Sequence, residues 1–322
     1  MQATAIAHPN VALIKYWGKE DIATNLPAVG SLSLTLGGLN TRTSVSFSPE
    51  LAQYEVTVNG QSDERTLKGV TRCLDLLRDH AGTATHAHVE SVNDFPTSAG
   101  LASSASGYAA LVTAASAALN LNLAAEELDL ITRIGSGSAP RSLYDGIVLL
   151  EKTMDTSGMN CRSVAAPDEW PLAVVVAVTS RAQKAVSSTG GMESSRLTSP
   201  CYQAWVDTHR ADLDMALESL RKHDFEKLAM VSEHSCLKMH AVAMSSDPAL
   251  VYWSAATAAC MQQVRELRKS GVPVFFTIDA GPQLKAVCMP AAVGTVSKAL
   301  AQVPGVIDVL ECHLGHGARV SA

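Results

Sequence analysis

A run of small residues between Asn93 and Gly107, NDFPTSAGLASSASG, constrains this chain more than any other stretch. After Pro96 it contains only alanine, glycine, serine, threonine and one leucine. Small side chains bury little apolar surface, so such a run is useful where another group must approach the backbone closely. We predict a buried helix from Gly100 to Leu119 that is entered through a loop of small residues.

The start of this helix predicts a cradle for a polyphosphate. The first N–H groups of a helix have no partner within it, and the helix dipole favours negative charge there. The serine hydroxyls add donors. The loop lacks the G-K-[ST] of a Walker A sequence and is not G-x-G-x-x-G, so it would be a third kind of phosphate loop. The alternative is a closely packed helix that binds nothing.

Composition limits the partners of the chain. Its 322 residues carry a net charge of −6 and are 47% apolar and 17% charged, which is typical of a globular protein with one large or two medium domains. A nucleic-acid partner is not expected of an acidic chain. Any bound anion must be held by a few placed cations and backbone N–H groups.

Cysteine usage and hydropathy predict the compartment. The seven cysteines are scattered without a C-x-x-C pair, which favours reduced thiols over disulfides or a zinc site. The N-terminus lacks the pattern of a signal peptide, and no apolar run approaches the ~20 residues of a membrane helix. We expect a cytoplasmic protein without a membrane partner.

Periodicity indicates a mixed chain of helices and antiparallel strands. TRTSVSFSP, YEVTVNG and ATHAHVES alternate as strands do, while KGVTRCLDLLRDHAG, ending at Gly82, and AAEELDLITRI have helical spacing. Beyond Val178 we predict two long helices, a third near 249–269, and a strand, turn and strand in GVPVFFTIDAGPQLKAVC. We place a domain boundary near residue 180.

Two stretches carry side chains suited to an anionic substrate. In HPNVALIKYWGK, Lys15 and Lys19 share a face if the segment is extended. GSGSAPRSLYDG contains serine hydroxyls and Arg141. Arginine binds carboxylates and phosphates through bidentate hydrogen bonds. The alternatives are two solvated lysines and a connecting loop with one surface arginine.

Asp279 is the candidate acid–base residue. It follows the apolar strand VFFTI, on the face of Phe275 and Thr277, where the chain turns. A carboxylate at a strand end can accept a hydroxyl proton during phosphoryl transfer. The alternative is an aspartate that starts a turn before Gly-Pro.

Other polar clusters favour structural explanations. His86, His88 and Glu90 lie on one face of a strand and could bind a metal, but a solvated face is more common. His313 and His316 receive the same interpretation. The serines near 103–106 lack the G-x-S-x-G elbow of a serine hydrolase.

Taken together, these stretches resemble the GHMP family of small-molecule kinases, and more closely its diphosphomevalonate decarboxylase branch. The matching blocks follow the family order along nearly the whole chain: NVALIKYWGK, LPAVGSLSLTL, NDFPTSAGLASSASGYAAL, GSGSAPRSLYDG, VSSTGGM with a following TSP, and FFTIDAGP. KYWGK and the GSGSA-x-RS pattern are specific to the branch.

The resemblance implies an α+β, two-domain GHMP kinase fold. Residues 1–180 would form an ATP-binding domain like ribosomal protein S5 domain 2, and residues 181–322 a ferredoxin-like domain, with the site in the cleft between them. It also implies ATP and Mg²⁺ as cofactors, a small phosphorylated substrate, and a homodimer.

The resemblance also implies roles for individual residues. Asp279, Lys15 and Arg141 would be catalytic, with Asp279 beside the substrate 3-hydroxyl and Arg141 on the substrate carboxylate. The implied substrate-binding residues are Asn10, Tyr16, Lys19, Ser136, Gly137, Ser138, Arg141, Ser188 and Met192. The implied ATP-binding residues are Ser91, Asn93, Ser98, Gly100, Ala102, Ser103 and Ser104, with Mg²⁺ held by the ATP phosphates and Ser104 the one candidate protein ligand.

The implied reaction is ATP-dependent decarboxylation of 5-diphosphomevalonate to isopentenyl diphosphate. Phosphorylation turns the tertiary 3-hydroxyl into a leaving group, its departure leaves positive charge at C3, and the adjacent carboxylate leaves as CO₂. Asp279 would orient or deprotonate the hydroxyl and steady the developing cation, while Arg141 would position the carboxylate.

Three departures from the family pattern bear on the substrate. Pro140 replaces a small residue or cysteine, Asp145 replaces a glycine, and AVGSLS differs from the usual asparagine–serine pair. Asp145 would disfavour an anion unless it faces away or binds a cation. A kinase that forms no CO₂, a decarboxylase of mevalonate 5-phosphate or another 3-hydroxy acid, and a non-catalytic GHMP homologue stay open as alternatives.

Overall fold

The computed structural model describes residues 1–95, 103–152, 158–182 and 186–321. The strands in these ranges are β1 Gln2–Ala7, β2 Asn10–Ile14, β3 Lys19–Asp21, β4 Leu26–Pro27, β5 Ser31–Gly37, β6 Thr41–Ser48, β7 Glu55–Val58, β8 His86–Asn93, β9 Ile147–Lys152, β10 Met159–Ala165, β11 Ala173–Val178, β12 Val274–Ile278, β13 Leu284–Cys288, β14 Asp308–Leu314 and β15 Arg319–Val320. The helices are α1 Glu64–Ala81, α2 Ser103–Ala118, α3 Ala125–Gly135, α4 Ser188–Thr198, α5 Tyr202–Lys222, α6 Phe225–Met244, α7 Ala255–Lys269 and α8 Val293–Ala301.

A five-stranded sheet in the order β15-β1-β6-β8-β7 forms one layer of the N-terminal half. Its pairings are antiparallel except that of β7 with β8. The apolar sides of α1, α2 and α3 cover this sheet, in a core that includes Val45, Val89, Leu74, Val112 and Ile131. Alanines at 105, 109, 114 and 115 are fully buried on α2, so its small residues allow close packing as predicted.

A larger sheet joins the two halves of the molecule. Its order is β10-β9-β5-β14-β11-β13-β12, and β2 also pairs with β5. The joint is the antiparallel pairing of β5 with β14, where Gly37 lies opposite His313. Helices α5 and α6 pack on one face through Leu213, Leu220 and Val231, whereas α7 and α8 pack on the other through residues such as Val264 and Val296.

The domain boundary near residue 180 stays a prediction, and the sheets give a reason to refine it. β11 pairs with β13 and β14, although it precedes residue 180 in the chain. In the other direction, β15 returns to pair with β1. Strands from each side of residue 180 therefore pair with strands from the other side.

The helix end predicted at Gly82 is confirmed, whereas one predicted helix start is wrong. Asp63 caps α1 by accepting a hydrogen bond from the Thr66 N–H, and α1 ends at Gly82 in the left-handed conformation. The helix predicted at 249–269 begins only at Ala255, because Ser254 caps it there. Helix α4 was not predicted, since its SSTGGMESS sequence has weak helical propensity.

Two compositional expectations can be compared with the described residues. The seven cysteines are all free, and only Cys201 is exposed. No helix in the described ranges has both the length and the apolar character needed to cross a bilayer.

Candidate active site

An ion cluster brings together distant parts of the chain. The Lys15 Nζ lies 2.6 Å from Asp279 Oδ1, and the Lys285 Nζ lies 3.1 Å from Asp279 Oδ2. The two lysine side chains are 1% and 2% exposed, whereas the Asp279 side chain is 27% exposed. One carboxylate is thus held between two buried ammonium groups and remains open to a ligand.

The β12–β13 hairpin places Asp279 and Lys285 together. Thr277 lies opposite Lys285 in this antiparallel pair, so Asp279, two residues beyond Thr277, is the diagonal neighbour of Lys285 on the same face. This confirms the face predicted for Asp279. The Thr277 hydroxyl donates to the Ala12 carbonyl at 3.0 Å, which ties the hairpin to β2.

Helix α6 anchors both sides of the cluster. The Ser235 hydroxyl accepts a hydrogen bond from the Lys15 N–H at 3.0 Å. The Ile278 N–H donates to the Cys236 sulfur at 3.2 Å, and His240 Nε2 lies 3.2 Å from the Ile278 carbonyl. Burial lowers the pKa of His240 to about 3, so the ring is neutral at pH 7 and donates that hydrogen bond.

Two lysines decide the charge of Asp279. Burial alone would raise its pKa, but the charges and hydrogen bonds of Lys15 and Lys285 outweigh burial and hold the pKa well below its usual range. Asp279 is therefore a carboxylate at neutral pH. It is a good hydrogen-bond acceptor and electrostatic partner, but a weak base toward a free hydroxyl.

Arg141 is a buried cation without a carboxylate partner among the described residues. Its Nη1 donates to the Ser31 hydroxyl at 2.8 Å, its guanidinium lies 5.7 Å from the centre of the Tyr16 ring, and its Nε has no hydrogen-bond partner. Burial lowers the pKa of Arg141, and the charge of Asp279 is among the effects that oppose this shift. A buried cation of this kind is suited to an anionic ligand.

The loop after α3 is built around Arg141. Asn10 Nδ2 donates to the Ser138 carbonyl at 3.1 Å and to the Ser142 hydroxyl at 2.8 Å. The Ser136 and Ser138 hydroxyls are 3.2 Å apart. These contacts bring the predicted residues Asn10, Ser136, Ser138 and Arg141 into one region.

Gly137 packs against the tyrosine of KYWGK. A Cβ atom at Gly137 would lie 2.3 Å from the Tyr16 hydroxyl and 3.2 Å from the Asn25 carbonyl oxygen. Burial raises the pKa of Tyr16, and its hydroxyl has no hydrogen-bond partner among the described residues. Tyr16 therefore has an unused polar atom beside the loop.

Lys15 and Lys19 have different partners. The Lys19 Nζ donates to Asn25 Oδ1 at 2.6 Å and to the Thr189 hydroxyl at 3.1 Å. The predicted shared face does not form, because residues 15–18 are not part of a strand and Gly18 has φ +98°. The two ammonium groups instead serve two parts of the site.

Helix α4 contributes the other residues of this end. Ser187 caps α4 by accepting from the Gly190 N–H, so Ser188 and Thr189 form its first turn. Met192 is buried with Tyr16, Trp17 and Trp205. Trp205 Nε1 donates to the Trp17 carbonyl at 3.1 Å, which connects α5 to the KYWGK segment.

The predicted nucleotide residues are only partly described. Ser98, Gly100 and Ala102 lie outside the described residues. The Ser91 hydroxyl is 2.9 Å from that of Thr43, and Asn93 Oδ1 accepts from Thr41. Ser103 and Ser104 form the first described turn of α2, which contains no acidic residue.

The three departures from the family pattern have physical explanations. Pro140 is the second residue of a 3-10 turn at Ala139–Ser142, where its fixed φ is compatible. Asp145 accepts from the Gly317 N–H and lies 3.3 Å from His316 Nδ1, so its carboxylate is engaged by the C-terminal segment. In AVGSLS, a Cβ at Gly30 would lie 2.9 Å from the Leu150 carbonyl oxygen.

The sequence reasoning missed Lys285 and Asn25. Lys285 could have been found because it is the only charged residue in the otherwise apolar strand LKAVC. In the hairpin it lies diagonally across from Asp279. Asn25 carried no comparable signal, because an asparagine before Leu-Pro is typical of any turn.

The remaining polar clusters do not form a metal centre among the described residues, which contain no group of three His, Cys, Asp or Glu that could bind an ion. His86 packs against Tyr54, with ring centres 4.9 Å apart, and His88 pairs with Glu55. His316 lies beside Asp145.

Comparisons with known proteins cover nearly the whole chain. Residues 7–165 match the family model of the diphosphomevalonate decarboxylase-like N-terminal domain, and residues 174–314 match that of the mevalonate 5-diphosphate decarboxylase C-terminal domain. Diphosphomevalonate decarboxylase of Schizosaccharomyces pombe is 34% identical over 303 residues, covering 87% of this chain and 77% of the relative.

Solved structures agree with these matches. Mevalonate diphosphate decarboxylase from Staphylococcus aureus has a TM-score of 0.93 and 35% identity, covering 100% of this chain and 98% of the other. A structure of MDDEF in complex with MVAPP, AMPPCP and magnesium has a TM-score of 0.90 and 35% identity, covering 100% of this chain and 99% of the other. A further relative is phosphomevalonate decarboxylase of Haloferax volcanii, 31% identical over 87% of this chain and 86% of that protein.

A two-domain α+β fold with these structural neighbours defines a protein of the GHMP kinase class, as the sequence predicted. The lysine-clamped carboxylate and the isolated arginine lie where the two halves of that fold meet. The chain belongs to the diphosphomevalonate decarboxylase family.

Proposed function

We propose that this protein catalyses the ATP-dependent decarboxylation of 5-diphosphomevalonate to isopentenyl diphosphate, with release of CO₂, ADP and phosphate. The observation that carries this proposal is the Lys15–Asp279–Lys285 cluster together with Arg141, a buried cation that feels the charge of Asp279 but has no carboxylate partner among the described residues. A substrate whose carboxylate lies one carbon away from a tertiary alcohol complements this pair, with Arg141 binding the carboxylate and Asp279 the hydroxyl.

Asp279 would act mainly by orientation and charge. Because its pKa is held low, it accepts a hydrogen bond from the 3-hydroxyl without removing the proton early. Phosphoryl transfer through a loose transition state needs little prior deprotonation. The same negative charge stabilises positive charge that develops at C3.

Arg141 would hold the substrate carboxylate until it leaves as CO₂. Its hydrogen bond to Ser31 constrains the orientation of the guanidinium, and its Nε is left without a partner. The Tyr16 ring stacks near it and limits access of water. Orientation of the C–C bond that breaks is the contribution expected from such a clamp.

The start of α2 fits a magnesium nucleotide. Ser103 and Ser104 supply hydroxyls in a first turn without acidic residues, where the helix dipole favours phosphate. When bound, ATP supplies the phosphoryl group and Mg²⁺ reduces its charge. Ser104 is the protein ligand proposed for the ion, and the remaining ligands would come from the phosphates.

A substrate panel tests the proposal. The purified protein is incubated with ATP, Mg²⁺ and 5-diphosphomevalonate, mevalonate 5-phosphate or mevalonate, and ADP and CO₂ are both measured. We expect equal amounts of ADP and CO₂ from the diphosphate. ADP without CO₂ would identify a kinase, and the absence of both products with every substrate would leave only a binding protein.

A second candidate substrate is mevalonate 5-phosphate. The Haloferax volcanii relative carries that specificity in its name. In this chain, two donors of the Lys19 ammonium are occupied by Asn25 and Thr189, and burial lowers the pKa of Lys19 against the opposing charge of Glu193. These contacts leave one N–H of Lys19 for the phosphate end of a substrate, and the same panel separates the two substrates by kcat/KM.

Two further proposals concern the setting of the enzyme. We infer a cytoplasmic homodimer that binds neither nucleic acid nor membrane, from the family likeness and the acidic composition. Light scattering on the purified protein at micromolar concentration measures the mass directly. A mass near the 33.9 kDa of one chain would contradict the dimer.

A further inference from the structure

Asn25 connects a substrate-binding lysine to the loop that carries Arg141. Its Oδ1 accepts from the Lys19 Nζ at 2.6 Å. Its Nδ2 donates to the carbonyls of Arg133 at 2.9 Å and Ile134 at 3.0 Å. These carbonyls belong to the last turn of α3, which has no helical partners for them.

The chemistry of these contacts requires an amide. An ammonium group only donates and a backbone carbonyl only accepts, so a single side chain must offer an oxygen on one side and N–H groups on the other. Aspartate has the same shape but lacks the donors. It would also neutralise the Lys19 charge, whereas asparagine leaves the charge available.

The backbone at Asn25 suits the same role. Its φ is +54°, in the left-handed region that asparagine and glycine tolerate best. The turn before it is fixed, because Asp21 accepts from the Thr24 N–H at 2.9 Å and Arg72 donates to the Ala23 carbonyl. Asn25 is itself 8% exposed, so its side chain has little freedom.

These contacts fix the orientation of the Lys19 ammonium group. An ammonium has three N–H donors, and Asn25 and Thr189 occupy two of them. The third N–H points in a direction that these two contacts determine. On the same turn, the Asn25 carbonyl oxygen is close to Gly137, so the position of Lys19 is linked to the loop of Ser136–Ser138.

We propose that Asn25 is a positioning residue for the phosphate end of the substrate, acting through Lys19 and coupling it to the loop that carries Arg141. This rests on the proposed function for the identity of the substrate. If Asn25 acts through Lys19, its replacement should weaken binding more when the ligand carries more phosphate charge. A purely structural role would weaken the binding of charged and uncharged ligands alike.

Calorimetric binding of 5-diphosphomevalonate and of mevalonate tests this in wild type, Asn25→Asp and Asn25→Gly. We expect Asn25→Asp to raise the Kd of the diphosphate about 30-fold or more and that of mevalonate less than about threefold. Asn25→Gly keeps the backbone conformation and is expected to raise the diphosphate Kd about tenfold. Asn120 also has a left-handed φ of +53° but is exposed, so Asn120→Asp and Asn120→Gly are the matched controls.

A double-mutant cycle with Lys19→Met separates positioning from folding. In the Lys19→Met background, Asn25→Asp should have no further effect on diphosphate binding. Equal losses for diphosphate and mevalonate, or a full effect of Asn25→Asp without Lys19, would overturn the proposal, as would a wild type that binds both compounds equally. Tight diphosphate binding without turnover would refute the proposed reaction and leave the Asn25 result intact.

Discussion

Two parts of the site differ in whether their buried charges have ion-pair partners. Around Asp279, the protein supplies both signs, and Lys15 and Lys285 pair with one carboxylate. Around Tyr16, Arg141 and Arg133 are buried cations without ion-pair partners among the described residues, and Nε of each lacks a hydrogen bond. In the first region both lysines have a carboxylate partner, whereas in the second neither arginine has one among the described residues.

The difference separates charges that are paired within the protein from charges that are left for an anionic ligand. A buried ion pair fixes geometry because breaking it exposes an unpaired charge to a low dielectric. An unpaired buried cation costs free energy until an anion arrives. The second arrangement is therefore expected where binding of the substrate recovers that cost.

The largest expected effect comes from the paired region. Asp279→Asn keeps the shape but removes the charge between two lysines, so kcat should fall about 10³-fold or more with a small change in KM. Steady-state assays that follow ADP and CO₂ measure this. Asp145→Asn is the control, since Asp145 is engaged by Gly317 and His316, and it should retain activity within about twofold. A nearly normal Asp279→Asn enzyme would remove Asp279 from the mechanism.

A second pair of variants contrasts the two regions directly. Arg141→Met should lower kcat/KM about 100-fold while raising the free energy of unfolding of the ligand-free protein by about 1–2 kcal/mol, because an unpaired buried charge is removed. Lys285→Met should instead lower it by about 1–3 kcal/mol, because Asp279 loses a partner. Urea unfolding without ligands measures both. Destabilisation of the same size in both variants would mean that the two regions do not differ.

Gly137→Ala tests how closely the loop approaches the unpaired region. The added Cβ would lie 2.3 Å from the Tyr16 hydroxyl, and overpacking of this kind costs about 1–3 kcal/mol. We expect KM for the substrate to rise about tenfold. Tyr16→Phe in the same chain should recover part of the loss, and Gly107→Ala, whose added Cβ meets nothing within 4 Å, should be neutral.

The sequence indicated the two central residues of this contrast but not the contrast itself. Asp279 could be proposed as a site residue because an apolar strand leads directly into Asp-Ala-Gly-Pro. Arg141 could be proposed because it lies among small residues in a loop. The partners of these groups were not predictable. Lys15 reaches Asp279 across 264 positions, and no local pattern encodes which lysine will pair with which acid.

The expected convergence of Lys15 and Lys19 failed for a related reason. The even spacing implied a common face only if the segment were a strand, and a left-handed Gly18 interrupts it. The lysines then diverge, and each is fixed by residues that no spacing rule connects to it. Tertiary contacts, unlike strand and helix periods, leave no trace in a single sequence.

The smallest expected effect concerns Asp129, a buried carboxylate without an ion-pair partner among the described residues. Asp129 and Arg133 are one turn apart on α3 and both are buried, yet the carboxylate's hydrogen bond comes from the Tyr144 hydroxyl at 3.1 Å. Burial raises the pKa of Asp129 to about 7, against the opposing effect of that hydrogen bond. A pKa above the unfolded value means that the contribution of Asp129 to stability is complete below about pH 4 and is lost as the pH rises toward 7.

Asp129→Asn should remove this dependence without changing kcat at pH 7 by more than about twofold. The free energy of unfolding of the variant, relative to wild type, should rise by up to about 1.4 kcal/mol per pH unit between pH 4 and 7 and level off above pH 7. Urea unfolding at pH 4.5, 6 and 8 measures it, even if the amide costs a constant amount at every pH. A difference that does not change with pH would show that Asp129 is already charged in the folded protein, and that Arg133 compensates it.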